Sequence, residues 1–231
     1  MSMSYCTRCF LLVFAFVVSV AIGFAVPSLS HAAEPDKWES AIRKFEEADK
    51  KSPPKPGGVL FIGSSSVRRW NLDESFPGKG YVNRGFGGSQ IADSTRYAER
   101  IVVPHRPRWV VMFVGDNDIA AGRSPEQLVD DIKAFAETIH ALLPRTKIIY
   151  LAVKPSLKRW KLYPKMDEAN KRLVKLIAAD PQVTFIDVAT PMLGEDGKPK
   201  AELLHEDKLH LSPAGYRLWT SLLKPHLDAQ Q

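Results

Sequence analysis

Cysteine is almost missing from this chain of 231 residues, and the two that occur, Cys6 and Cys9, both fall within the first ten positions. Beyond them there is no thiol, which excludes disulfides and cysteine metal sites from the rest of the protein. Acidic residues are missing from the first 33 positions, where Arg8 precedes an apolar run over 9–26. Ser30-His31-Ala32-Ala33 then offers small residues where a signal peptidase reads. Residues 1–33 are therefore expected to be a secretory signal cut after Ala32 or Ala33. That leaves a single exported domain over 34–231, periplasmic or extracellular and without stable membrane association. The run is also about as long as a short membrane span, so an uncleaved anchor is the alternative. No cysteine follows the run where a lipoprotein would need one.

Internal repeats and low-complexity segments are absent as well. What is present suits one globular domain with a sizeable core: 45% hydrophobic and 25% charged residues. Of the 32 basic side chains one, Arg8, lies in the leader, so the remainder exceeds the 26 acidic ones by five. The densest basic stretch, 154–165, interleaves Lys154, Lys158, Arg159, Lys161 and Lys165 with Trp160 and Tyr163. Such a run could track a nucleic acid, but it reads as a solvated loop leading into a helix, so no nucleic-acid partner is expected.

Short, continuously apolar runs recur at 58–62, 109–114, 147–153 and 183–188, with a weaker one at 81–83. Runs of this kind belong to parallel strands covered on both faces. Helical patterns alternate with them at 38–50, 90–102, 124–143, 163–179 and 212–227. At 124–143, Ser124, Pro125 and Gln127 mark the start, and Leu128, Ile132, Phe135, Ile139 and Leu142 form one stripe. The expected fold is α/β: about five parallel strands in a three-layer α/β/α sandwich. In such sheets ligands bind beyond the carboxyl ends of the strands.

Chemistry-bearing residues collect at those ends. Gly63-Ser64-Ser65-Ser66 follows the first strand, at a strand-to-helix turn where backbone N–H groups face incoming negative charge. Asn83-Arg84-Gly85-Phe86-Gly87-Gly88 follows the second, with glycines that let backbone approach a ligand. Gly115-Asp116-Asn117-Asp118 follows the third, and Asp207-Lys208-Leu209-His210 precedes the last helix. A serine oxygen needs a base to activate it, and that base needs a group to orient it. Taken singly, the blocks also read as a capped turn, a flexible turn, an Asn/Asp turn and a solvated loop.

In this order and context, Ser65, Gly88, Asn117 and His210 resemble the blocks of the SGNH hydrolases, also called GDSL-like esterases and lipases. The resemblance spans roughly 58–227. It implies a flavodoxin-like fold, with Ser65 as nucleophile, His210 as base and later acid, and Asp207 supporting the imidazolium. It implies an oxyanion hole made by the N–H groups of Ser65 and Gly88 and the amide of Asn117, and it implies no cofactor. One position departs: the family's Asp is Ser64 here, which leaves three consecutive serines from which Ser65 is chosen by register. Ser64 is expected to cap the short helix instead.

His205 and Glu206 beside Asp207 match no familiar zinc spacing, so no metal is expected. Asp116 and Asp118 are read as turn formers, and His105, His140 and His226 as surface residues. Short loops and the lack of an apolar lid favour a shallow site for short acyl groups. Similarity to acetylhydrolase-type members, including the platelet-activating-factor acetylhydrolase-like branch, points the same way. The substrate is thus expected to be a small-molecule or glycan ester, first an acetylated polysaccharide. A broad short-chain esterase or lysophospholipase is the second choice, and a binding module that has lost its chemistry is the non-enzyme alternative. Lys154, Arg159, Trp160 and Tyr163 are candidates for contacting the alcohol portion. Nothing in the sequence fixes the oligomeric state.

Overall fold

The computed structural model describes residues 36–178 and 180–228, so the expected leader lies outside the described residues. The chain opens with α1 (Glu39–Lys51), β1 (Val59–Gly63), α2 (Ser65–Arg68), α3 (Leu72–Ser75) and β2 (Val82–Gly85). It continues through α4 (Ile91–Arg96), α5 (Ala98–Ile101), β3 (Trp109–Phe113), α6 (Asp116–Ala120) and α7 (Pro125–Leu142). It closes with β4 (Lys147–Leu151), α8 (Tyr163–Ile177), β5 (Val183–Ile186) and α9 (Pro213–Asp228). The strands form one all-parallel sheet in the order β2-β1-β3-β4-β5. That is the doubly wound flavodoxin-like order, whose direction of winding reverses between β1 and β3 and opens a crevice there.

Both faces of the sheet are covered because its strands are apolar on both faces. Leu60 and Ile62 enter one core with residues of α1, α4, α5, α7 and α8. Val59 and Phe61 enter the other with Trp70, Phe76, Trp219 and Leu223, contributed mainly by α9 and the segment after β1. Each fully buried Phe or Leu is worth about 1.5–3 kcal/mol relative to exposure. α1 docks through buried Ile42 and through Arg100, which reaches both Glu39 and Glu46 at 2.7 Å. The start of α7 is as the sequence implies: Ser124 Oγ accepts from the Gln127 N–H, and Gln127 Oε1 from the Ser124 N–H.

The second strand and the helix expected over 90–102 are among the elements that differ from expectation. The second strand runs later than 81–83, through Arg84 and Gly85, because Ile62 and Gly63 of β1 pair with them. The helix expected over 90–102 breaks at Tyr97, whose ring is buried edge-on against Phe86.

Candidate active site

β1 ends at Gly63, and the residue must be glycine. Its φ is +147°, and a Cβ there would lie 2.0 Å from the Phe113 carbonyl oxygen of β3. The chain then turns directly into α2, putting Ser65 at the first helical position, where an N–H has no intrahelical acceptor. Asn83 braces this turn from β2. Its Nδ2 donates to the Val67 and Trp70 carbonyls, while its Oδ1 accepts the Gly85 N–H. Tyr216 of α9 adds a bond from its hydroxyl to the Ser66 carbonyl at 2.9 Å.

The last loop meets this turn from the other side. Leu204 and Leu211 form an antiparallel bridge, the His205 N–H donates to the His210 carbonyl, and Lys208 takes a left-handed φ of +56°. The tight loop that results aims His210 Nε2 at Ser65 Oγ, 2.8 Å away, while Nδ1 lies 2.6 Å from Asp207 Oδ2. Asp207 Oδ1 accepts the N–H groups of Leu209 and His210. Desolvation works against the Asp207 charge, but these bonds and the His210 ring outweigh it and hold the carboxyl below its usual range. Arg69 approaches the same carboxylate at 3.5 Å from the solvent side.

Across the crevice, Gly88 is exposed and has φ +79°, a conformation that favours glycine. A Cβ on it would come 3.4 Å from the Trp38 ring, so the residue just before α1 lies beside this turn. Asn117 sits in the first turn of α6, a short helix where the sequence suggested only a turn. Its Nδ2 donates to the Ser89 carbonyl at 3.0 Å and its Oδ1 accepts from Arg159 at 3.0 Å. Ser65, Asn117 and His210 are all partly exposed, so the site opens to solvent.

The other candidates divide. Arg159 faces the site but is committed to Asp116 and Asn117. Lys154 does not face substrate: it is 1% exposed, and its ammonium donates to the Leu209 carbonyl at 2.6 Å, beneath the His210 loop. Burial pushes its pKa down, which the nearby Asp116 charge opposes. Trp160 and Tyr163 stack on each other at 5.0 Å. Tyr163 lines a hollow of about 170 Å³ with Asp167, Asn170 and Asp187, a hollow that neither Ser65 nor His210 borders.

Three further expectations are corrected. Ser64 holds the N-cap position, yet its buried hydroxyl makes no capping bond and has no hydrogen-bond partner among the described residues. Asp116 and Asp118 are buried rather than simple turn formers, and Asp118 accepts the Ile91 N–H at 3.0 Å. His105 is buried, bonded to Asp49 and Arg84, because those partners arrive from distant elements. Among the described residues, no group of three or more His, Cys, Asp or Glu side chains is placed to hold a metal ion.

A serine, a histidine and an aspartate in hydrogen-bonded series, at the crevice of a flavodoxin-like sheet, are the arrangement of a serine hydrolase. The GDSL-like Lipase/Acylhydrolase family matches residues 63–218, and the chain belongs to it. It is 29% identical over 189 residues to platelet-activating factor acetylhydrolase IB subunit alpha1 of Bos taurus, with 78% of each chain covered. A solved structure from Streptococcus pneumonia, described as a platelet activating factor, superposes with a TM-score of 0.74 at 27% identity. That match covers 82% of this chain and 92% of the other. An acetyl xylan esterase from Geobacillus stearothermophilus shares the fold, with a TM-score of 0.58 at 19% identity over 74% of this chain and 94% of its own. This protein is a carboxylic ester hydrolase.

Proposed function

We propose that this protein is an exported serine esterase that removes short acyl groups, chiefly acetyl, from an alcohol of carbohydrate type. Ser65 Oγ attacks the ester carbonyl while His210 Nε2 takes its proton, and Asp207 stabilises the imidazolium. The carbonyl oxygen becomes an oxyanion held by the Ser65 and Gly88 N–H groups and Asn117 Nδ2. Collapse breaks the bond to the alcohol oxygen, which receives the proton from His210. Water, deprotonated by the same imidazole, then attacks the acyl-enzyme and releases the acid and free Ser65.

The observation that carries this reading is the imidazole spanning Ser65 and Asp207 at 2.8 and 2.6 Å. Partial exposure of Ser65 and His210 favours a shallow site for short acyl groups, and the acetyl xylan esterase neighbour favours a carbohydrate alcohol. The Bos taurus acetylhydrolase favours a second reading, a broad short-chain esterase or lysophospholipase. Acetyl release from acetylated xylan, other acetylated glycans, a lysophospholipid and p-nitrophenyl esters of rising chain length would decide. Turnover should fall steeply beyond short acyl chains and be greatest on an acetylated glycan. A preference for long acyl chains would overturn the assignment. Export rests on the leader at 1–33, and a secreted form beginning at residue 33 or 34 would be its signature.

A further inference from the structure

An asparagine amide can serve an oxyanion only through Nδ2; flipped, it presents Oδ1 and repels the developing charge. The orientation of Asn117 is held from both ends. One of its two N–H donors is used by the Ser89 carbonyl at 3.0 Å, leaving the second for a ligand. Its Oδ1 receives Arg159 Nη2 at 3.0 Å, while Arg159 Nη1 reaches Asp116 Oδ2, also at 3.0 Å. The loop carrying Arg159 joins β4 to α8 and is tied to the loop carrying His210: Lys158 N–H donates to the Lys208 carbonyl and Lys154 Nζ to the Leu209 carbonyl.

We propose that Arg159 is a positioning residue that locks the Asn117 amide with Nδ2 toward the oxyanion, an assignment that rests on the esterase reading given above. A guanidinium only donates, so a flipped amide would set donor against donor at Arg159 and carbonyl against carbonyl at Ser89. The charged donor on Oδ1 also polarises the amide and strengthens the remaining N–H. Lysine is a poor substitute, because its single nitrogen cannot occupy the two separate donor positions that Nη1 and Nη2 fill in one rigid plane. Asp116 neutralises the guanidinium, so the pair supplies direction rather than net positive charge. Two of the five N–H donors of Arg159 are therefore committed within the protein.

The test is a double-mutant cycle on p-nitrophenyl acetate hydrolysis, with thermal unfolding followed for every variant. Arg159→Met should lower kcat about tenfold with KM changed less than about twofold, the loss expected for a charged hydrogen bond. Arg159→Lys, which keeps the charge beside buried Asp116 and so protects folding, should lose activity to a similar extent. In an Asn117→Ala background, Arg159→Met should change kcat less than about twofold, since no amide remains to be oriented. Multiplying losses in the double variant, a change confined to KM, or full activity of Arg159→Lys would each overturn the proposal. If Asn117→Ala alone left kcat unchanged, the oxyanion reading beneath it would fall too, which separates the two failures.

Discussion

Two aspartate–arginine pairs among the described residues, each with one buried and one partly buried member, have similar chemistry and opposite purposes. Asp116 and Arg159 meet at the carboxyl end of the sheet, and the second arm of the guanidinium holds Asn117. Asp49 and Arg84 meet between α1 and β2, and there the guanidinium also touches His105 and lies over the Phe45 ring. Neither charge nor burial separates the two pairs. The third partner does: an amide that opens onto Ser65's crevice in one case, an imidazole sealed against α1 in the other. Desolvation, reinforced by the Arg84 charge, pushes the His105 pKa down and outweighs Asp49, so this imidazole stays neutral near neutral pH.

Breaking the two regions should therefore give opposite phenotypes. The largest effect belongs to the crevice: Asn117→Ala should lower kcat by about a hundredfold or more. Its melting temperature should stay close to that of the parent, as calorimetry would record. Asp49→Ala should do the reverse. It leaves Arg84 buried without its carboxylate, a loss of about 3 kcal/mol in urea unfolding, with kcat per folded molecule unchanged.

Asp118 sharpens the contrast, being a buried aspartate that accepts backbone N–H groups in place of a guanidinium. Desolvation raises its pKa from 3.8 to about 6, with the Asp116 and Asp131 charges adding to the rise. A raised carboxyl pKa contributes stability that is present below the unfolded value and lost as pH rises through the folded one. Between pH 4 and 7 that contribution should fall by on the order of 2–3 kcal/mol. Asp118→Asn should remove this slope from a series of urea titrations. The smallest effect is expected at Ser64, whose hydroxyl has no hydrogen-bond partner among the described residues. Ser64→Ala should shift stability by less than about 1 kcal/mol and leave kcat intact.

The same contrast marks what the sequence could disclose. Ser65, Gly88 and Asn117 each follow a strand within a few residues, and Asp207 and His210 share one short loop, so the family resemblance could single them out as candidates, and the structure brings Ser65, His210 and Asp207 into one hydrogen-bonded series. Strand runs such as Val59 to Ile62 were equally plain, since a short run rich in β-branched and aromatic residues between glycines favours a strand. The partners that hold the site were hidden because they are remote in the chain. Arg159 lies 42 residues from Asn117, Tyr216 150 from Ser66 and Lys154 55 from Leu209. His105 was misplaced at the surface for the same reason, its carboxylate standing 56 residues upstream. Arg84 in β2 looked like loop because the register, set by β1, overrides its polarity.

The central claim is that Ser65, rather than either neighbouring serine, is the nucleophile activated by His210. Incubation with a fluorophosphonate followed by peptide mass spectrometry tests it most directly. A single adduct on Ser65, lost in His210→Ala, is the predicted result. Labelling of Ser64 or Ser66, or undiminished p-nitrophenyl acetate hydrolysis by Ser65→Ala, would contradict it.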